Sequence, residues 1–353
     1  MNCSPHQQVR APWSRRFAVT CVALLGSVLP WLATSAWAHP SGLPQLRARA
    51  DLVIDDAANW LIWDFHPSIL TGVLVLGLLY GMAVGPWRRR YGWSATPAPR
   101  EQVGLFYGNL VLLYFTLDGP LHHLADELLF SAHMLQHMLL QLLWAPLLVV
   151  TVPEWLWRAI VRPAPIQVLA RWATRPLVAF LLFNGVVFGW HVPPAYNLAL
   201  TVHGFHILQH LMFMSTAVVM WFVMMAPLAE LRVGHGRRMT FIFVNMLAMK
   251  VLGILISLSD NVLYTFYLSQ PRAWGVDAMA DQQLGGLLMW LPGGSVLWVG
   301  LGRVFWQWVR AGTPARGLTG IAHIDQARAA ARVRADLALA AAEPANVPAA
   351  RAG

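Results

Sequence analysis

A chain of 353 residues that is 57% hydrophobic and only 12% charged is too apolar for water. Soluble domains carry charge on about a quarter of their residues, so this composition excludes a soluble globular core and makes a lipid bilayer the natural solvent. The net charge of +9 does not point to nucleic acid, because the arginines recur between apolar segments rather than gathering in one patch, as orientation signals do.

The first 38 residues read as an export signal. Arg10, Arg15 and Arg16 supply the positive region, Phe17 to Ala33 the apolar core, and Ala36-Trp37-Ala38 an A-x-A cleavage site. The alternative is an uncleaved anchor helix, since the apolar run is long for a signal. Cleavage gives a mature chain that begins at His39. Cys3 and Cys21 are the only cysteines, so the mature chain has none, which excludes disulfides, thiolate metal sites and cysteine nucleophiles. Residues 39–66 then form a short periplasmic segment.

A bilayer core takes roughly 20 mostly apolar residues per helix, and seven later segments qualify: 67–86, 103–117, 131–152, 176–190, 206–226, 239–259 and 284–309. The expected fold is an all-α, polytopic transmembrane bundle of about seven helices over residues 67–310. Arginines (Arg88, Arg89, Arg90, Arg100) follow the first helix, and others (Arg158, Arg162, Arg171, Arg175) follow the third. Arg232, Arg237 and Arg238 follow the fifth, and Arg310 and Arg316 the seventh. The alternate loops hold acidic residues and, among Lys and Arg, only Arg272. This positive-inside pattern puts residues 39–66 outside and the C-terminus in the cytoplasm of a bacterial plasma (inner) membrane. The cytoplasmic tail, 311–353, is rich in Ala and Arg; about 324–342 reads either as a surface helix with a basic face or as an extension.

With that topology the histidines fall on one side. His39, His66, His122, His123, His133, His137, His191, His203, His206 and His210 all lie in outer loops or at outer helix ends. Polar groups beside hydrocarbon are costly and tend to be functional. Two segments echo each other: His133-Met134-Leu135-Gln136-His137 opens the third helix and His206-Ile207-Leu208-Gln209-His210 the fifth. Positions i and i+4 share a helix face, so each pair points two imidazoles at one place. His203, His191, His122 and His123 are further candidate ligands. Imidazole suits copper, zinc and iron, and the thioethers of nearby Met134, Met138, Met212 and Met214 favour Cu(I). One such pair alone reads more simply as structural; two parallel copies point to metal or haem. A metalloprotease is excluded, because Met134 and Ile207 stand where the zincin motif needs its glutamate.

The run Asp126-Glu127-Leu128-Leu129-Phe130-Ser131-Ala132-His133-Met134-Leu135-Gln136-His137-Met138-Leu139-Leu140 resembles the signature of the caa(3)-type cytochrome c oxidase assembly factor family, called CtaG. The stretch from Asp281-Gln282-Gln283 to Gly293-Gly294 resembles that family's last-helix motif. The resemblance covers roughly His66 to Arg310. It implies a polytopic factor, not an enzyme, required to mature haem-copper oxidase at the copper-insertion stage. An unrelated single-spanning copper chaperone that shares the name uses cysteines, which this mature chain lacks. The partners so implied are oxidase subunits and periplasmic copper chaperones, within the lipid bilayer and with no nucleic acid.

Besides Asp126, three polar residues are candidates. Lys250, the only lysine, falls mid-membrane in the sixth helix, where it marks a proton or ion path or a charge that locks helices, or pairs with a carbonyl or with Asn109, Asn184 or Asn245. Asp281 and Gln282 start the last helix, either as caps or in contact with the histidines. The expected function is oxidase assembly, with copper delivered or inserted through a periplasm-facing histidine cluster. The alternatives are a copper transporter, a membrane protein that binds haem between two histidines on facing helices, and a scaffold whose histidines are merely buried.

Overall fold

Helices stand on all seven apolar segments. The computed structural model describes Val53–Ile54, Trp63 and residues 65–312. The signal, most of the segment 39–66 and the tail with its candidate helix at 324–342 lie outside the described residues. In chain order the main helices are α1 (Pro67–Arg90), α2 (Arg100–Asp118), α3 (Phe130–Thr151), α4 (Glu154–Val161), α5 (Ala164–Ala173), α6 (Pro176–His191), α7 (Pro193–Thr201), α8 (His203–Met225), α9 (His235–Ser257) and α10 (Ala278–Gly312), with short helical turns at Pro120–His123 and Leu124–Leu128 between α2 and α3. Val53–Ile54 pairs in parallel with Arg272–Ala273.

Five of these helices, α1, α3, α8, α9 and α10, are long and apolar enough to span a bilayer; α5 with α6, bent by 80°, passes the same test only when the pair is counted as one span, which gives up to six. The remaining apolar segment lies in α2, whose Arg100, Glu101, Gln102, Asn109 and Asp118 dilute its apolar run. Prolines open α1, α6 and α7, where a missing N–H costs nothing. A left-handed Ala226 (φ 48°) just before Pro227 ends α8.

The bundle is apolar outside and polar inside. Leu74, Leu78, Leu177, Leu181, Leu247 and Leu255 are exposed, while Asn109, Gln136, Gln141, Asn184 and Asn245 are buried. In a bilayer the inward polar groups join helices. Asn184 Nδ2 donates to Asn245 Oδ1 at 2.9 Å, tying α6 to α9, and Asn109 Nδ2 donates to the Trp144 carbonyl at 3.1 Å, tying α2 to α3. Helix α8 packs on α3 and α6, and α6 also packs on α9. Helix α10 meets α9 backbone to backbone: a Cβ on Gly286 would stand 2.8 Å from the Gly253 carbonyl oxygen. The adjoining face of α10 lays Gly285 against Phe130 and Met134.

The arginines at the helix ends gather at one end of the bundle, while Arg272 lies at the other, near Asp281. Arg88 donates to the Ser94 and Ala95 carbonyls at 2.8 and 2.7 Å, and Arg158 bridges Glu154 and Glu230 at 2.7 and 3.0 Å. Arg238 donates twice to the Met224 carbonyl, its Nε at 3.0 Å. Of the described histidines, all but His235, which opens α9 beside Arg238, gather at the other end.

Candidate metal centre

The histidine end is built where the start of α3, the end of α6 and the start of α8 meet. Helix α3 begins at Phe130 because Leu129 is extended and because the Asp281 carboxylate accepts the amides of Phe130 (2.6 Å) and Ser131 (3.1 Å). The cap comes from the first turn of α10 and favours the positive end of the α3 dipole. It fixes the start of the helix that carries His133 and His137. Its neighbour Gln282 accepts the Leu263 amide at 2.6 Å and donates to the Asn261 carbonyl at 3.1 Å, holding the loop before α10.

His133, His137 and His210 each bring a ring nitrogen within 4.8 Å of the others, and all three side chains are buried. The ring centroids lie 4.3 Å apart for His133 and His137, 5.2 Å for His137 and His210, and 6.1 Å for His133 and His210. Nε2 of His133, both nitrogens of His137 and Nδ1 of His210 are buried without a hydrogen-bond partner among the described residues. Buried polar atoms nearly always have one, so orphaned imidazole nitrogens on three converging side chains fit a metal ion. His133 Nδ1 lies 3.3 Å from the Ala125 carbonyl. A carbonyl only accepts, so Nδ1 carries the hydrogen and Nε2 is left as ligand, the way metal-binding histidines are usually oriented.

His206 stands one step outward. Its Nε2 is 2.5 Å from His210 Nε2, and the two rings stack at 4.5 Å. Its Nδ1 lies 3.5 Å from Asp126 Oδ2, and His122 Nε2 lies 3.5 Å from the same oxygen. Gln136 Nε2 donates to His122 Nδ1 at 2.9 Å and to the Thr116 carbonyl at 2.8 Å. His122 therefore carries its hydrogen on Nε2, turned toward the carboxylate. Burial pushes the Asp126 carboxyl up to about 6, against the pull of His206. Behind this layer, buried Asp118 accepts both the amide and Nδ1 of His66, each at 2.7 Å.

Of the four histidines expected to converge, three do so, and His206 links them to Asp126. His191 lies beside the three, its ring 6.4 Å from that of His137. His122 belongs to the outer layer; His123 and His203 are half-buried and outside the group of three. Met134 reaches the centre, whereas the Met138 sulfur lies by Gly293 and Met212 and Met214 sit off the packed stripe of α8. Lys250 does not pair with the asparagines offered to it. Asn184 and Asn245 bond each other, and the lysine stem lies against Gly294 with no hydrogen bond or ion pair to another described residue. Asp118, Gln136 and the Ala125 carbonyl were not legible as site groups. Tyr267, which donates to that same carbonyl at 3.0 Å, was not either.

A bundle that turns its polar groups inward and collects orphaned imidazoles at one end is a polytopic membrane protein with a candidate metal centre. The chain belongs to the cytochrome c oxidase caa3 assembly factor family (Caa3_CtaG), whose pattern matches residues 78–311. It is 24% identical to an uncharacterized protein of Mycobacterium bovis over 246 residues, which are 65% of this chain and 36% of that protein. It is also 24% identical to an uncharacterized protein of Mycobacterium leprae over 266 residues, 70% of this chain and 40% of that one. The chain thus spans about two fifths of these curated relatives. No solved structure matches it.

Proposed function

We propose that this protein serves cytochrome c oxidase assembly by holding copper at His133, His137 and His210, on the outer face of the inner membrane, for delivery to an oxidase subunit. The observation that carries the reading is that these three buried side chains each bring a ring nitrogen within 4.8 Å of the others and each hold a ring nitrogen with no hydrogen-bond partner among the described residues. The family membership supplies the client process, and the positive-inside pattern supplies the side. The role is to bind and hand over an ion, and no catalysis is assigned. The outer layer of Asp126, His206 and His122 offers a carboxylate and imidazoles between the loops and the three buried ligands, a route by which a periplasmic chaperone would load them. A haem fits less well, because two axial imidazoles would leave the third of the converging histidines without a role. A transporter fits less well too, because Lys250 in α9 repels a cation moving further inward.

The test is metal analysis of protein purified from copper-supplemented cells. The wild type is expected to hold copper, and His133→Ala/His137→Ala and His206→Ala/His210→Ala are each expected to lose it while remaining inserted and folded. Full copper content in both double variants would mean that the histidines are structural.

A further inference from the structure

Beside the three histidines lies a contact that lacks a hydrogen. His191, the last residue of α6, has Nδ1 2.6 Å from the Val187 carbonyl one turn back. A carbonyl only accepts, so Nδ1 carries the hydrogen and Nε2 presents a lone pair. That Nε2 faces the sulfur of Met134 at 3.4 Å, and a thioether has no hydrogen to give. Both residues are buried. A second proton on His191 would supply the missing hydrogen, but it would place a charge inside an apolar bundle. The ring's neighbours there are Phe213, Tyr196 and His137, none of them a carboxylate. Two lone-pair atoms turned toward each other in a buried place are reconciled by a cation that both can ligate.

The pair is held in place on both sides. Tyr264 donates to the His191 carbonyl at 3.1 Å. The Met134 stem lies against Gly285, where a Cβ would stand 3.2 Å from the Met134 Cγ. Met134 also follows His133 directly on α3. The pair therefore opens onto the three histidines rather than forming a remote site. Imidazole alone accepts zinc, copper or iron, whereas thioether sulfur selects the soft cuprous ion.

We infer that Met134 and His191 form a thioether–imidazole site for Cu(I) adjoining the three histidines, and that this pair makes the centre selective for the reduced ion over divalent metals. The inference rests on the metal-binding reading of His133, His137 and His210. His191 would ligate through Nε2, with its Nδ1 hydrogen kept on Val187, and the sulfur would enter without losing a proton.

The experiment is an anaerobic titration of the purified full-length protein with Cu(I) against a coloured chelator, beside a separate titration with Zn(II). X-ray absorption at the copper edge of the Cu(I) form completes it. The wild type is expected to show copper–sulfur scattering. Met134→Leu, a near volume-conserving swap, is expected to abolish that scattering and weaken Cu(I) binding about tenfold or more, with Zn(II) binding unchanged. His191→Gln is expected to weaken Cu(I) by a similar factor, and His137→Ala to lose both metals. Sulfur-free scattering in the wild type, with Cu(I) affinity unchanged in Met134→Leu, overturns the soft site. It leaves the histidine centre standing if His137→Ala still loses Zn(II) and Cu(I). If His137→Ala binds both metals as the wild type does, the three-histidine reading fails as well.

Discussion

Asp281 and Phe130, 151 residues apart in sequence, are joined by a 2.6 Å hydrogen bond from the Phe130 amide to the Asp281 carboxylate. Through it the last helix caps the helix that carries two of the three central histidines, and Ser131 adds a second amide at 3.1 Å. Asp281→Ala is expected to cost about 1–2 kcal/mol of stability and to weaken metal binding roughly tenfold by loosening the ligand helix. Asp281→Asn keeps an acceptor and is expected to fall between. Thermal unfolding in detergent and metal titration of the three proteins check this; equal metal affinity in all three would remove Asp281 from the centre's support.

Helices α9 and α10 touch where neither has a side chain. A Cβ on Gly286 would lie 2.6 Å from the Ser257 amide nitrogen, an atom of the opposing backbone that has nowhere to go. Gly286→Ala is expected to force the helices apart at about 1–3 kcal/mol, read as a lower unfolding temperature. Gly300→Ala, with no atom within 4 Å of its Cβ, is the control and is expected to unfold with the wild type.

The amide pair between α6 and α9 gives a similar test of the polar interior. Asn184→Leu leaves Asn245 Oδ1 without the donor it has at 2.9 Å, at an expected cost of about 1 kcal/mol. Replacing both asparagines with leucine removes the unmatched acceptor and is expected to restore part of the loss. Thermal unfolding of the single and double variants decides it, and a double variant weaker than the sum of the singles would contradict the pairing.

The helices and the grouping of histidines were legible in the sequence because both rest on local periodicity. Apolar runs mark the helices. The i, i+4 spacing within His133-His137 and His206-His210 puts each pair on one face whatever the rest of the chain does. What lay beyond reach depends on the angle and depth at which helices meet. Nothing local says that Asp281 caps α3 rather than its own helix, or that Asn184 and Asn245 satisfy each other and leave Lys250 by Gly294. The offset of α8 against α3 is likewise unseen; it brings His210 to His133 and His137 and leaves His206 with Asp126. The tautomer of His191, on which the proposed Cu(I) site rests, is set by a carbonyl one turn back and could not be read from residue spacing.

The proposed orientation, with the centre outside, is testable without purification. A reporter active only in the periplasm is expected to be active when fused after residue 125 or 200, beside the histidine end, and silent when fused after 95 or 235, near the arginines. The reverse pattern at any of the four positions would move the centre to the cytoplasmic face and exclude loading from the periplasm.

The last expectation joins the centre to its client. If the histidines pass copper to the oxidase, cells carrying His133→Ala/His137→Ala should accumulate oxidase that has its haem but lacks copper, since only ion delivery is interrupted. His206→Ala/His210→Ala is expected to behave alike, although the two pairs differ in position: His210 is one of the three converging ligands, while His206 connects them to Asp126. Single replacement of His206 is therefore expected to slow loading more than it lowers the copper held at saturation, whereas His137→Ala lowers the amount held. Added copper in the medium should restore activity in part to His206→Ala, whose ligands remain, and less to His137→Ala. Haem and copper content of the isolated oxidase, with its activity at low and high copper, measure each step. Full activity in both double variants at low copper would break the link between this centre and the oxidase.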